Sequence, residues 1–196
     1  MEIGFKKPFV VHHRELLVDI IRQNVANVCI GAEVGVDRGV SSEYLFKGFP
    51  NLILFCIDRW IDFSCNKEYL NTGDNKANRS QENANRDYIE AIERTLSFDR
   101  LCIMRMDFVK AAGLILDKLF DFVFLDADHS YNGTLNALVC YWPKIKDGGL
   151  LIGHDYGGFK VAQAVNEFMK RQNISKERLK IGGQTLFWIN KTDVTN

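Results

Sequence analysis

The stretch "FVFLDADHSYNG", residues 122–133, changes abruptly from apolar to charged residues. Four apolar side chains, typical of a buried strand, are followed at once by Asp126, Asp128 and His129. Charge at the end of a buried strand contributes nothing to packing. Asp126 is therefore a candidate ligand for a metal or a substrate, and His129 is a candidate general base. The alternatives are that Asp126 caps the following turn and that His129 is packed against backbone; Asp128 is expected to be a turn residue.

A second apolar run, "LLIGHDY" at residues 150–156, ends in the same way with His154 and Asp155. In an open α/β sheet, ligands bind outside the carboxyl ends of the strands. If the two runs are neighbouring strands, Asp126, His154 and Asp155 converge there and need a cation to offset their charge. Oxygen ligands favour Mg²⁺, and a histidine ligand favours Mn²⁺ or another transition metal. A hydrogen-bonded pair of His154 and Asp155 without metal is the alternative.

The stretch "GAEVGVDRGVSSEYL" follows the first predicted strand and has the glycine spacing of a ligand-binding turn. Gly35 and Gly39 bracket a tight turn, and Ser41 or Ser42 suits the first turn of the helix that follows. No Lys-Ser/Thr pair follows, so this is not a P-loop. Glu33 would repel a pyrophosphate and attract an ammonium group. We therefore expect a ligand with a cationic end, a purely structural turn being the alternative.

Asp58 ends the second predicted strand. In doubly wound folds, an acidic residue at this place accepts hydrogen bonds from ribose hydroxyls. A ligand that carries a ribose and a positive amine, and needs no phosphate, fits S-adenosylmethionine better than NAD. The sequence thus predicts S-adenosylmethionine as the cofactor.

Strands and helices that would position these side chains alternate along the 196 residues. Runs that are apolar on successive residues, typical of strands covered on both faces, lie at 28–33, 52–57, 100–106, 120–126 and 149–155. Apolar residues recur at helical spacing over 13–24, 84–97 and 159–171. Gly182 and Gly183 suggest a closing hairpin with one antiparallel strand. The predicted fold class is α/β, a single domain over 1–196 with helices on both faces of a mainly parallel sheet.

Residues 62–87 interrupt this alternation. They are polar, rich in Asn and show little periodicity. Long irregular segments of this kind are functional lids or tolerated surface insertions. The segment follows the second strand at the carboxyl edge of the sheet, so we expect a lid.

The chain resembles the class I S-adenosylmethionine-dependent methyltransferases, and it is most similar to the group called methyltransferase family 24. The motifs that carry this resemblance run in the family's order over roughly residues 28–170: "EVGVDRGVSS", "CIDRW", "RMDFVKAA", "FVFLDADHSY", "WPKIKDGGLLIGHDY" and "VAQAVNEF". The resemblance implies a Rossmann-like doubly wound sheet of order 3-2-1-4-5-7-6 with strand 7 antiparallel. It also implies that Glu33, Gly35 and Gly39 line the methionine end of the cofactor.

By the same resemblance, Asp58 holds the ribose with Trp60 nearby. Asp107 would lie by the adenine amino group, with Phe108 beside it. The residues expected to contact the cofactor are Glu33, Gly35, Gly39, Ser41, Asp58, Trp60, Asp107, Phe108 and Asp126.

The catalytic expectation also comes from this resemblance. Similar metal-dependent sugar O-methyltransferases carry an acidic residue where Asp126 stands, an acidic pair where His154 and Asp155 stand, and a base where His129 stands. His154 departs from that pattern. A bound cation would lower the pKa of an acceptor hydroxyl, and His129 would take its proton. The implied activity is O-methylation of a small hydroxylated metabolite or sugar, with Asp126 and His129 as catalytic residues.

Two other functions stay open on the same fold: a non-catalytic S-adenosylmethionine or nucleoside-binding protein, and a hydroxylase-like enzyme. His12 and His13 are expected to be surface residues at the start of a helix. Tyr131 and Tyr156 either line the substrate pocket or pack.

The composition limits the partners. Twenty-five basic residues balance twenty-five acidic ones, which gives no general attraction to a nucleic acid or an anionic membrane. The five scattered cysteines show no C-x-x-C pair and suggest a reducing compartment. No apolar run reaches membrane-spanning length, and no signal peptide is evident at the N-terminus. We expect a cytoplasmic protein with a small-molecule substrate and no nucleic-acid or membrane partner; a homo-oligomer is left open.

Overall fold

The computed structural model describes residues 13–183 and 185–192. The described residues form seven strands, which are β1 (Ile30–Val34), β2 (Ile53–Asp58), β3 (Leu101–Arg105), β4 (Phe120–Leu125), β5 (Ile145–Gly153), β6 (Lys180–Gly182) and β7 (Leu186–Asn190). The α-helices within the same residues are α1 (His13–Asn24), α2 (Val40–Gly48), α3 (Lys67–Leu70), α4 (Gln81–Thr95), α5 (Phe108–Leu114), α6 (Tyr131–Tyr141) and α7 (Val161–Arg171).

The strands form one sheet in the order β3-β2-β1-β4-β5-β7-β6. Strands β1 to β5 pair in parallel, and β7 runs antiparallel to both β5 and β6. The predicted sheet order, the antiparallel strand 7 and the hairpin at the end of the chain are confirmed. The first strand begins two residues later than predicted, at Ile30.

Helices cover both faces of the sheet, as predicted. Helices α1, α2 and α4 contribute to one apolar core, and α5, α6 and α7 contribute to the other. Strand β4 serves both cores, because Phe122 and Phe124 face the first while Val123 and Leu125 face the second. Burial of successive residues on opposite faces explains why β4 is apolar throughout.

The register of the three central strands positions the site. Val34 of β1 pairs with Leu125 of β4, and Leu125 pairs with Gly153 of β5. The three strands therefore end at the same level. The residue that follows each strand emerges beside its neighbours at the carboxyl edge of the sheet.

The 62–87 segment is more ordered than its composition indicated. It holds α3, a 3₁₀ turn at Asn75–Asn78 and the start of α4, which begins three residues before the predicted helix. Polar side chains explain this order, because Asn66, Asp74 and Ser80 each cap the helix or turn that follows by accepting a backbone N–H. The expectation of little regular structure over 62–87 was therefore wrong.

No helix among the described residues is both long enough and apolar enough to cross a membrane.

Candidate active site

A cavity of about 360 Å³ opens at the carboxyl edge of the sheet. This volume lies in the range of small-molecule sites. Nine of the twelve site residues predicted from the sequence line it, namely Glu33, Gly35, Ser41, Asp58, Phe108, Asp126, His129, His154 and Asp155. Gly39, Trp60 and Asp107 are not among its lining residues.

The glycine-rich turn after β1 forms one wall of the cavity. Gly35 has φ 89°, and a β-carbon there would lie 2.0 Å from the carbonyl oxygen of Asp126. Both the conformation and the contact require glycine. Gly39 has φ 71° and faces away from the cavity, where a β-carbon would lie 3.0 Å from the α-carbon of Ala91 in α4. Gly39 therefore allows α4 to pack closely against the turn.

Asp58 organises this turn from the end of β2. Its Oδ2 accepts hydrogen bonds from the backbone N–H groups of Val36 (2.9 Å) and Asp37 (3.0 Å). Its Oδ1 accepts from the backbone N–H of Trp60 at 2.8 Å. A carboxylate offers about four lone-pair positions, so Asp58 keeps acceptor capacity for a ligand in the cavity.

Trp60 and Asp107 have structural roles. Trp60 is fully buried, and its indole N–H donates to the carbonyl oxygen of Asp37 at 2.7 Å. The Asp107 carboxylate caps α5 by accepting from the backbone N–H groups of Val109 and Lys110. Its neighbour Phe108 is the residue of this loop that lines the cavity.

Glu33 is buried at the end of β1 and accepts a hydrogen bond from the Ser42 hydroxyl. Burial, partly offset by that hydrogen bond, raises the pKa of Glu33 to about 8. The side chain is therefore largely protonated at neutral pH in this state. A cation in the cavity would favour its ionised form.

Asp126, His154 and Asp155 form a cluster at the other end of the cavity, with one ligand atom from each lying within 4.8 Å of the others. The His154 Nδ1 lies 3.1 Å from Asp155 Oδ2 and 3.6 Å from Asp126 Oδ1. Its Nε2 lies 3.0 Å from the Thr185 hydroxyl. Two carboxylates and an imidazole nitrogen facing one point are a donor set that suits a divalent cation.

The backbone and charge of this cluster are both unusual. Asp155 has φ 58°, a left-handed conformation that costs free energy in a residue other than glycine. Burial disfavours a charged His154, but the hydrogen bond to Asp155 and the charge of Asp126 outweigh it and raise the pKa of His154. In turn, His154 lowers the pKa of Asp155 against the effect of burial.

His129 connects this cluster to the 62–87 segment. Its Nε2 lies 3.3 Å from Asp126 Oδ1 and 3.3 Å from Asp155 Oδ2, and its Nδ1 lies 2.8 Å from Asp74 Oδ2. Burial opposes the charge, but hydrogen bonds to Asp126 and Asp74 raise the pKa of His129 to about 10. The ring is an imidazolium at neutral pH in this state, so it balances the carboxylates and must lose a proton before it can act as a base.

The family model described as "Methyltransferase domain", methyltransferase family 24, matches residues 32–156, which is more than half of the chain. The chain belongs to the class I S-adenosylmethionine-dependent methyltransferases. The matched residues run from β1 through the cluster at the end of β5 and contain most of the cavity wall.

Known proteins similar to this methyltransferase include a curated relative and several solved structures. The mycinamicin III 3''-O-methyltransferase of Micromonospora griseorubida is 29% identical over 94 residues, which is 48% of this chain and 29% of that protein. The chain thus spans well under half the length of this curated relative. The structure of the O-methyltransferase NovP superposes with a TM-score of 0.65 at 18% identity, covering 92% of this chain and 78% of that one.

A third similar structure is SMU.1697c from Streptococcus mutans, which was solved in complex with SAH. It has a TM-score of 0.60 and 16% identity, and it covers 96% of this chain and 99% of that one. At these identities, both solved structures support the fold of the methyltransferase alone.

The 62–87 segment of the methyltransferase contributes lining residues to the cavity and contacts the glycine-rich turn. The Lys76 ammonium lies 2.7 Å from both carboxylate oxygens of Asp37. The guanidinium of Arg79 lies 3.1 Å from the same carboxylate and 3.0 Å from Asp87. The two ion pairs with Asp37 join the segment to the turn that follows β1.

Sequence reasoning missed several residues of the methyltransferase site. His13 lines the cavity with its ring 5.1 Å from that of His154, so it is not the plain surface residue that was expected; His12 lies outside the described residues. Asp74 also lines the cavity, and no motif marked it in the Asn-rich segment. Asp128 accepts from the backbone N–H of Ser130 at 2.8 Å, which is the turn role expected of it.

Tyr131 and Tyr156 pack against the core beneath α6 and α7 and are not among the residues that line the cavity. The Tyr156 ring lies 5.7 Å from that of Phe187. Of the two roles considered for these tyrosines, packing and lining the substrate pocket, the structure supports packing for both.

Proposed function

We propose that this methyltransferase transfers the methyl group of S-adenosylmethionine to a hydroxyl group of a small metabolite or sugar, with a divalent cation held by Asp126, His154 and Asp155. One observation carries the proposal. The cluster lines the same cavity as the glycine-rich turn, so an acceptor bound at the cluster faces a cofactor bound at the turn. Methyl transfer needs the acceptor oxygen, the methyl carbon and the sulfur in line, so positioning supplies much of the rate.

The turn and the end of β2 supply the contacts for the cofactor. The cofactor, when bound, supplies a methyl group activated by a sulfonium. A cationic ligand near the turn would favour the ionised form of Glu33, and Gly35 lets the turn lie against the backbone of Asp126. Asp58 is fixed by three backbone N–H groups and can accept further hydrogen bonds from ribose hydroxyls.

The donor set of the cluster fits a divalent cation. If the Nε2–H of His154 donates to the Thr185 hydroxyl, its Nδ1 lone pair faces Asp126 and Asp155. A histidine ligand oriented by a hydrogen bond from its second nitrogen is common in metal sites. The cation would lower the pKa of the acceptor hydroxyl. A nitrogen ligand beside two carboxylates suits Mn²⁺ better than Mg²⁺.

His129 is the group best placed to take the hydroxyl proton, because its Nε2 faces the cluster. In the metal-free state, Asp126 and Asp155 favour a proton on that nitrogen. When both carboxylates serve as ligands, they no longer do so, and Nε2 can accept a proton. Asp74 keeps its hydrogen bond to Nδ1 throughout.

The class of acceptor rests on two observations. The curated relative is named as a 3''-O-methyltransferase of mycinamicin III, and its match covers 94 residues. The aromatic rings of Phe63 and Tyr69 line the cavity beside the charged groups. A mixed aromatic and polar wall suits a hydroxylated ring.

The test begins with calorimetric titration of S-adenosylmethionine and S-adenosylhomocysteine, for which we expect micromolar dissociation constants. Turnover is then followed as S-adenosylhomocysteine release with a panel of free sugars, nucleotide sugars, glycosides and catechols, in Mn²⁺, Mg²⁺ or EDTA. We expect turnover with Mn²⁺ or Mg²⁺ and little in EDTA. His129→Ala should lower turnover by about 100-fold or more, the typical worth of general-base catalysis, and leave cofactor affinity within about threefold.

Absence of binding to both cofactor forms would contradict the proposal as a whole. Binding without turnover of any acceptor would favour the non-catalytic alternative. Turnover that needs Fe²⁺, oxygen and a reductant, with no methyl transfer, would favour the hydroxylase-like alternative.

A further inference from the structure

The 62–87 segment is attached to the loop that carries the predicted base. The Asn66 side-chain amide donates to Asp128 Oδ2 at 2.9 Å. The Glu68 carboxylate accepts from the backbone N–H of Asn132 at 3.1 Å and from its side-chain amide at 2.7 Å. These two attachments flank His129 in sequence, so the segment and the loop form one wall of the cavity.

Between these attachments, Asp74 contacts His129 directly. The Asp74 Oδ2 lies 2.8 Å from His129 Nδ1 and accepts the Tyr69 hydroxyl at 2.7 Å. Its Oδ1 accepts the backbone N–H of Lys76 at 2.8 Å. Asp74 is 8% exposed, so water competes little for these bonds. Three donors, from α3, from the 3₁₀ turn and from the loop after β4, therefore fix the direction of the carboxylate.

The ring of His129 is restrained on its other sides as well. It stacks on Phe159, with centroids 5.1 Å apart and planes 6° from parallel. The Tyr69 ring meets it edge-on at 6.5 Å. A ring held this way has one direction left for Nε2, which is toward Asp126 and Asp155.

We infer that Asp74 is a positioning residue: it holds the proton of His129 on Nδ1 and aims Nε2 at the acceptor, so that the 62–87 segment completes the catalytic site. This inference rests on the proposed function. A carboxylate can only accept, so a neutral ring beside it keeps its proton on Nδ1 and presents a lone pair on Nε2. The same logic orients a base histidine in hydrolases that pair it with a buried aspartate.

The segment then acts as part of the active site. An enzyme whose segment is displaced would keep its cofactor turn but would lose the direction of its base. Misdirection of a base lowers turnover more than it lowers the affinity for either substrate.

The first measurement needs no acceptor. In ¹H–¹⁵N spectra of the full chain labelled on histidine, a hydrogen-bonded Nδ1–H of His129 should exchange slowly with water and appear far downfield. His129→Gln identifies that signal by its loss. Asp74→Asn should remove the signal or shift it strongly upfield, because a neutral amide is a weaker acceptor. The matched control is Glu68→Gln, which perturbs an attachment of the same segment without touching His129.

The second measurement is kinetic, with an acceptor found in the panel above. Asp74→Asn should lower kcat by about 10- to 100-fold, the size typical of losing a partner that orients a functional histidine. The KM for the acceptor and the Kd for S-adenosylhomocysteine should stay within about twofold. Tyr69→Phe removes only a neighbouring donor and should have a smaller effect on kcat. Glu68→Gln should leave kcat within about threefold.

A downfield signal that survives in Asp74→Asn overturns the inference, and so does an unchanged kcat in that variant. Equal losses in Asp74→Asn and Glu68→Gln would assign a merely structural role to the segment and would also overturn it. A wild-type enzyme that methylates no acceptor contradicts the proposed function instead, while the spectra still decide whether Asp74 holds the ring.

Discussion

The α-carbon of Gly35 lies against the backbone of Asp126, so closely that a β-carbon on Gly35 would come within 2.0 Å of the Asp126 carbonyl oxygen. The backbone N–H of Asp126 donates to the carbonyl oxygen of Val34 at 2.8 Å in the same place. The glycine-rich turn and the acidic cluster therefore meet through backbone atoms. This contact fixes the separation between the glycine-rich turn and the cluster of Asp126, His154 and Asp155.

Gly35→Ala should unfold the turn or displace it from Asp126. The clash is with backbone, which cannot rotate away, so the cost adds to the strain of about 1–2 kcal/mol for a left-handed alanine. Gly73→Ala is the matched control, because Gly73 also has positive φ, 81°, but a β-carbon there meets nothing within 4 Å. Urea unfolding should show the larger loss for Gly35→Ala, together with loss of S-adenosylhomocysteine binding. Equal losses of stability in the two variants would contradict the contact between Gly35 and the backbone of Asp126.

The central strands and the charged residues that end them could be predicted from the sequence for one physical reason, whereas the order of the strands came from the resemblance to the family. Strands β4 and β5 are buried on both faces, so their apolar runs are continuous and the charge that ends them is conspicuous. Once the two runs are neighbours in a parallel sheet, their ends must meet. Asp126 and His154 were therefore brought together by register alone.

Contacts made through turns and caps could not be predicted in this way. Trp60 has φ 45°, a left-handed conformation that a tryptophan in the sequence does not predict. Its ring is buried in the core and does not line the cavity. Asp74 and His129 lie 55 positions apart, and their contact depends on how α3 and its neighbouring turn fold. The capping residues of the 62–87 segment can be read from the sequence. A cap predicts where a helix begins, but it does not predict what that helix packs against.

Removal of one proposed ligand from the cluster should weaken the affinity of the cluster for a cation. Asp155→Asn replaces a carboxylate oxygen with a neutral amide, so Mn²⁺ affinity measured by titration calorimetry should fall by at least about tenfold. Asp128→Asn is the control, because Asp128 lies in the same loop region but bonds Ser130 and Asn66. It should change the affinity by less than about threefold. Similar losses in the two variants would argue against a site at the cluster.

Stability should depend on pH through Glu33. Its pKa is about 8 in the native state and near 4.3 in an unfolded chain, so between these values the native state holds a proton that the unfolded state has released. The free energy of unfolding should therefore fall as pH rises from about 4.3 to about 8, by up to about 1.4 kcal/mol per pH unit from this group. Glu33→Gln should lose this contribution. Urea unfolding at several pH values gives the pH dependence of the free energy of unfolding for the wild type and for Glu33→Gln. The same dependence in both proteins would contradict the expectation.

Asp58 and Asp107 should differ in what their removal does, although Asp58 ends β2 and Asp107 follows β3 at the same edge of the sheet. Asp58→Ala leaves the N–H groups of Val36 and Asp37 without their acceptor, which should cost about 1–3 kcal/mol of stability and weaken S-adenosylhomocysteine binding by tenfold or more, on the order of 1.4 kcal/mol. Asp107→Ala removes a helix cap and should cost about 1 kcal/mol. Because Asp107 does not line the cavity, its loss should change cofactor affinity by less than about threefold. Calorimetry on both variants separates the two roles, and a large loss of affinity in Asp107→Ala would place that carboxylate in the cofactor site after all.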